Sequence, residues 1–254
     1  MPDTTTAAFV LRAVDLRESD RLLTLLTREL GKVSAVARGA RTSRKRFGGA
    51  LETFALVEVV LGRGRGREGL YSLTEATLIE AHAGLASDLE RLGAAAMIVE
   101  LAREVIPDHE PDERLFDIVA EALGLLSSES GCATRALAVS AALRVLACAG
   151  LGLGASRCTA CGQPVPPGRK AHFDPRRGGV VCTACGGGPI LLPAAAVGAL
   201  AELERATLAE SAAASIPATA LLEIETALGC FLEQHLVRPL RSDHFRRQVG
   251  PVGV

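Results

Sequence analysis

Apolar positions in the first eighty residues come in short runs broken by glycine and charge, a spacing that favours strands. Residues 8–14 are apolar and β-leaning. The next run is ambiguous, because Leu22, Leu23, Leu25, Leu26 and Leu30 would also line one face of a helix. Gly31 and Lys32 then supply a turn and residues 33–38 read as a strand, so 21–38 is assigned as a hairpin. Residues 54–61 form the clearest strand, and 69–74 the next. Five short strands punctuated by glycines predict a small antiparallel barrel.

Beyond Glu80 the period changes to that of helices. Ser87 to Glu90 reads as a capping box, followed by Leu92, Ala95, Ala96, Val99, Leu101 and Ile106 at helical spacing up to Pro107. Asp112 is placed to cap a second helix carrying Leu115, Phe116, Val119, Leu123 and Leu126 on one side. A third runs from Thr134 through Leu146 to glycines 150, 152 and 154, and two more are expected at about 194–209 and 217–237. The fold class is therefore α+β and multidomain. A barrel over residues 1–80 precedes a helical domain in two parts, 81–154 and 191–254. Residues 155–190 are inserted between those parts and are expected to project from one end of the helix bundle.

That insertion holds the strongest chemical signal. Cys158 and Cys161 form one Cys-x-x-Cys pair, Cys182 and Cys185 a second, with twenty residues between. Such pairs are the signature of a four-cysteine zinc site, because a two-residue gap lets one tight turn aim two thiolates at a single point. The segment is rich in proline and glycine, so one structural Zn²⁺ is expected to hold it together. Disulfides would require an oxidising compartment, and residues 1–6 lack the basic-then-apolar pattern of an export signal. A redox pair would need a single Cys-x-x-Cys opening a helix, and a catalytic zinc only three protein ligands. His172 lies between the pairs and reads as a loop residue. Cys132, Cys148 and Cys230 sit in apolar helical patterns as small core residues.

Composition narrows the function. Of 254 residues, 48% are hydrophobic, enough for a proper core, and no run approaches a membrane span, so no membrane partner and a cytoplasmic location are expected. Only 3% are aromatic, which argues against a large stacking platform for bases. The formal charge of −1 conceals an asymmetry. Between residues 32 and 67, nine basic residues face two acidic ones, a balance of +7. The nine are Lys32, Arg38, Arg41, Arg44, Lys45, Arg46, Arg63, Arg65 and Arg67, mostly in two glycine-bearing loops suited to phosphate contacts. They are the candidate DNA-binding residues. Arg238, Arg241, Arg246 and Arg247 make a second basic patch in the tail. No Walker loop, His-Glu-x-x-His helix, nucleophile elbow or dinucleotide fingerprint is present, and the chain reads as a binding protein, not an enzyme.

Four stretches carry a resemblance to a known family. They are residues 18–41 (ESDRLLTLLTRELGKVSAVARGAR), 46–54 (RFGGALETF), the metal segment with FDP at 173–175 and RGGVVC at 177–182, and 231–242 (FLEQHLVRPLRS). In order and together, they resemble the bacterial recombination mediators of the RecO family. The resemblance implies an N-terminal OB-fold, a helical domain and an inserted zinc module. It implies binding and annealing of single- and double-stranded DNA in DNA repair and recombination, and loading of the recombinase onto DNA coated by single-strand-binding protein in a RecFOR-type pathway. It also implies a RecR partner, a nucleoid-associated cytoplasmic location, and capture of the acidic C-terminal tail of single-strand-binding protein by the helical part. Arg238, Arg241, Arg246 and Arg247 are the candidate partner contacts there. Some family members lack the cysteines, which implies a structural metal. The rival readings are a zinc-ribbon scaffold for nucleic acid or protein and a zinc-dependent nucleic-acid hydrolase.

Overall fold

Strands β1 (Thr4–Asp15), β2 (Arg21–Thr27), β3 (Gly31–Ala37), β4 (Leu56–Arg63) and β5 (Leu70–Glu80) pair in the order β1-β2-β3-β5-β4 and close into a barrel of OB type. The computed structural model describes residues 3–16, 18–63, 69–128 and 133–242. One pairing departs from the all-antiparallel expectation: β3 and β5 run parallel, Ser34 opposite Leu70 through Ala37 opposite Leu73. Strand β1 serves two neighbours, β4 through residues 4–9 and β2 through 8–15, and a register shift between Val10 and Arg12 bends it from one to the other. Alternate residues fill the interior, among them Val33, Ala35 and Ala37 on β3 and Val57, Val59 and Leu61 on β4. The segment between β3 and β4 is more than a loop. It contains a short helix, α1 (Arg44–Phe47), and Phe47, Ala50 and Leu51 join the barrel core.

The first compact unit extends past the strands to include residues 106–127. Helix α3 (Glu113–Ser127) starts at Asp112, whose carboxylate accepts from the backbone N–H groups of Arg114 and Leu115 at 2.9 and 3.1 Å. Its Phe116 ring packs at 5.0 Å from Phe9 of β1. Arg28 lies over that ring at 4.4 Å and bonds Asp117 at 2.7 Å. Phe9 pairs with Leu26 on β2, so that face of β1 and β2 is apolar as well as the barrel side. This explains why the leucines of β2 match a helix as well as a strand: the strand buries both faces.

The second unit comprises residues 86–105 and 128–254. Helix α2 (Leu89–Val105) begins at Asp88, which accepts from Glu90 and Arg91 N–H at 2.7 and 3.2 Å; the capping oxygen is therefore that of Asp88, where the sequence pattern had pointed to Ser87. Helix α4 (Thr134–Cys148) is central, touching α2, α5 (Ala194–Arg205), α6 (Leu208–Ala212) and α7 (Ala218–His235). Burial all round is why it shows no single apolar stripe. The stretch expected as one helix over 194–209 is broken between α5 and α6, where Thr207 opens α6 with a reciprocal capping box to Glu210. Cys148 and Cys230 are half-buried at the helix surface instead of in the core, and Cys132 lies outside the described residues. Among the described residues, no helix is long and apolar enough to cross a membrane.

Candidate metal centre and basic loop

Residues 155–192 contain a three-stranded sheet in the order β7-β6-β8, from β6 (Ala171–Asp174), β7 (Gly179–Val181) and β8 (Ile190–Leu192), so the inserted segment runs two residues past the expected end at 190. The sequence predicts a proline- and glycine-rich segment held together by its metal and projecting from the helices. The structure adds a small apolar core and a seat on those helices. Phe173, Val180, Val181 and Leu192 are fully buried. The sheet is seated on the helices: a Cβ on Gly178 would lie 3.1 Å from the Phe231 ring of α7, and the Ala155 N–H bonds Glu204 of α5 at 3.3 Å.

Both cysteine pairs sit in tight turns beside this sheet. Gly162 N–H returns to Cys158 O at 2.8 Å and Gly187 N–H to Cys182 O at 3.0 Å. Gly162 and Gly186 hold φ of 73° and 97°, a region that glycine enters without steric cost. The sulfurs of Cys158, Cys161, Cys182 and Cys185 all lie within 4.8 Å of one another. A tetrahedral site with metal–sulfur bonds of about 2.3 Å requires sulfurs about 3.8 Å apart, and Cys161 and Cys182 stand at 3.9 Å. The residues therefore fit a metal ion, and the all-sulfur donor set suits a borderline or soft one. The N–H of Cys182 donates to the Cys158 sulfur at 3.3 Å. That bond, with help from the Cys161 amide, holds the Cys158 thiol down to about 6. Cys185 is pushed up to about 12 by hydrogen bonding to the Cys182 and Cys161 sulfurs, with burial and their negative charge adding to it. Four thiolates in this volume ionise together only around a cation. His172 stands on β6, not in a loop, and its Nδ1 bonds Gly188 O at 2.9 Å, outside the sulfur cluster.

The nine basic residues of 32–67 do not form one set. Lys32 is mostly buried and paired with Asp108 at 3.2 Å, where the chain leading to α3 crosses β3. Arg41 is 3.8 Å from Asp15 and donates to Glu18 O at 3.3 Å. Arg38, Lys45 and Arg46 are exposed, and none has a carboxylate partner among the described residues. Arg46 is held in place: it donates to Arg38 O at 2.8 Å and to Ser43 Oγ at 3.1 Å and lies over the Phe47 ring at 4.9 Å. The loop is anchored to the β1–β2 connection by Gly39 N–H on Asp20 at 2.9 Å and Arg41 N–H on Ser19 O at 3.2 Å. Arg44 opens α1 and Arg63 ends β4, while Arg65 and Arg67 lie outside the described residues.

In the tail, Arg238 and Arg241 are exposed, and Arg246 and Arg247 lie outside the described residues. The start of the tail is fixed to α2, since Ser242 N–H donates to Glu100 at 2.8 Å and Leu240 is buried. Burial, the largest influence on Glu100, pushes its carboxyl up. The Ser242 and Arg241 amides and the Arg103 guanidinium outweigh it and hold the carboxyl below its usual range. Sequence reasoning passed over a further set of basic residues, Arg157, Arg169, Lys170, Arg176 and Arg177 in the metal module, all exposed. A charge count restricted to 155–190 finds them, five basic against the single acid Asp174.

Comparison with known proteins agrees with this architecture. Residues 1–82 match the family described as Recombination protein O N terminal, and residues 86–244 match Recombination protein O C terminal. The chain is 43% identical over 249 residues to a protein named DNA repair protein RecO from Anaeromyxobacter sp. (strain Fw109-5), covering 96% of this chain and 95% of that one. It is 37% identical to proteins of the same name from Myxococcus xanthus, over 96% of each chain, and Geobacter metallireducens, over 99% of this chain and 100% of that one. With both halves matched in order, and relatives aligned over nearly their whole length, the chain belongs to the RecO family.

Proposed function

We propose that the chain is a DNA repair and recombination mediator that binds and anneals DNA strands and helps to load the recombinase onto DNA coated by single-strand-binding protein. The observation that carries this reading is the loop between β3 and β4. It offers Arg38, Lys45 and Arg46 to solvent without carboxylate partners, and it is tied to the β1–β2 connection of an OB-type barrel. That connection is one of the loops with which OB-folds take oligonucleotides. Cations on a rigid loop neutralise phosphates without reading sequence, as an annealing protein requires. The relatives named DNA repair proteins support the same role.

The finer assignments follow from that reading. The ion in the four-cysteine site is Zn²⁺ and its role is structural, because four protein sulfurs leave no open position for chemistry. RecR and the acidic tail of single-strand-binding protein are the protein partners, the latter on the second unit with Arg238, Arg241, Arg246 and Arg247 contributing. The site of action is the cytoplasmic nucleoid. A strand-annealing assay tests the central part, run on bare complementary strands and on strands coated by single-strand-binding protein. Annealing on both substrates is expected. Failure on both would remove the mediator role, and binding of protein partners with no affinity for DNA would favour a scaffold instead.

A further inference from the structure

The second unit has an unequal distribution of charge. Outside residues 155–190 its sequence carries nine basic and twelve acidic residues, a balance of −3. The metal module alone carries five basic and one acidic, a balance of +4. Filling the four-thiolate site with a divalent ion contributes −2, confined to the cysteine turns, and leaves the module at +2. Four of the helical arginines are also engaged internally. Arg135 bonds Glu225 with both ends of its guanidinium, Arg103 bonds Glu100 and Glu104, and Arg91 and Arg144 donate to Ser128 O and Ala206 O. In the module only Arg177 has a carboxylate, Asp174 at 3.5 Å; Arg157, Arg169, Lys170 and Arg176 have none among the described residues.

These cations stand on a rigid platform. Arg176 and Arg177 occupy the β6–β7 turn, closed by Arg177 N–H on Asp174 O at 3.1 Å and Arg176 N–H on the Asp174 carboxylate at 2.9 Å. The turn leads into Gly178 and Gly179, packed so closely that a Cβ on Gly179 would come within 2.5 Å of Gly154 O. Arg169 and Lys170 precede the other end of β6, and Arg157 adjoins Cys158 and donates to Gly162 O at 3.1 Å. Strand β6 is four residues long, which places its two ends on the order of 13 Å apart. A nucleic-acid strand in a duplex presents one charge for about every 3.4 Å of axis. Cations at both ends of such a strand match a repeating row of phosphates.

We propose that the metal module is a second nucleic-acid-binding surface, taking the phosphate backbone of one strand on Arg157, Arg169, Lys170, Arg176 and Arg177. The proposal rests on the reading that the chain binds DNA, and it gives the metal a purpose: to hold a cationic platform in shape. With the barrel loop as the other surface, one chain carries contacts for two strands.

Calorimetric titration of the full chain with a non-complementary oligonucleotide of about 8 nucleotides, within the site size of one OB-fold, tests it at low salt. The parent is expected to take up two oligonucleotides per chain. The variant R157A/R169A/K170A/R176A is expected to take up one, with metal content unchanged. The conservative variant R157K/R169K/R176K should keep two, which separates charge from fold. One site in the parent, or two in the alanine variant, would overturn the module proposal and leave the barrel reading standing. No uptake by the parent would overturn the barrel reading itself. Unchanged oligonucleotide uptake with lost binding of an acidic peptide would assign the surface to a protein partner and overturn the proposal.

Discussion

The barrel and the metal module are both small β structures, and different forces hold them. The barrel encloses alternating Val, Leu and Ala from five strands, with Phe47 and Leu51 completing the core. The module has three strands of three or four residues and four large buried side chains, Phe173, Val180, Val181 and Leu192. Burial at about 25 cal/mol per Å² can stabilise the first without help. It cannot offset the ordering of thirty-odd residues in the second, at roughly 1–2 kcal/mol each for the backbone. The difference shows where a fold needs a cross-link: where turns outnumber buried side chains, four sulfurs around one cation replace the missing core.

The largest effect expected is therefore that of metal removal. Cys158→Ser with Cys182→Ser should lose the ion and unfold the module, leaving the barrel intact. Stability of the second unit should rise with free metal by about 1.4 kcal/mol for each tenfold above the dissociation constant. Metal analysis with thermal melting checks this. A metal-free variant that melts like the parent would mean that Phe173 and its neighbours suffice, and the contrast between the two regions would disappear.

Leu25→Ala attacks the other side of the comparison. Leu25 is fully buried in the barrel, so the change should cost about 2–5 kcal/mol in denaturant titration while metal content stays constant. Loss of metal with this variant would tie the two regions together. A smaller effect concerns the clamp on the tail. The Glu100 carboxyl lies lower in the folded chain than its ordinary value of 4.5. The stability it contributes is therefore fully present above that value and is lost as pH falls through the lowered folded value. Glu100→Ala should cost about 1–2 kcal/mol at neutral pH, and the gap from the parent should narrow in acid. An equal gap at neutral and acid pH would show that the carboxylate charge plays no part.

What the sequence discloses depends on how local the cause is. The cysteine pairs were legible because a two-residue gap fixes two ligands by itself. Strands β3 and β4 were legible because each alternates between an interior and an exterior. Strand β2 was ambiguous by its own period and was assigned through the turn that follows it, since Leu26 is buried beside Phe9 while Leu23 and Leu25 face the barrel interior. The stripe of Leu115, Phe116 and Val119 shows that α3 must pack against something, and nothing in a stripe says that the partner is β1. For the same reason a boundary at residue 80 separates Phe9 from the ring that covers it. Charge was counted correctly and its availability was not. Lys32 and Arg41 look like Arg38 and Lys45 in the sequence, and only the fold brings Asp108 and Asp15 to the first two.

That distinction among cations supplies the most direct test of the proposed DNA contact. The dependence of log affinity on log salt should be measured for single-stranded DNA, with the parent and with Arg38→Ala combined with Lys45→Ala. Each phosphate neutralised on a single strand contributes a slope of about −0.7. Loss of two such contacts should flatten the slope by about 1.4, with affinity falling alike for different sequences. A slope equal to that of the parent would contradict the assignment of DNA to this loop.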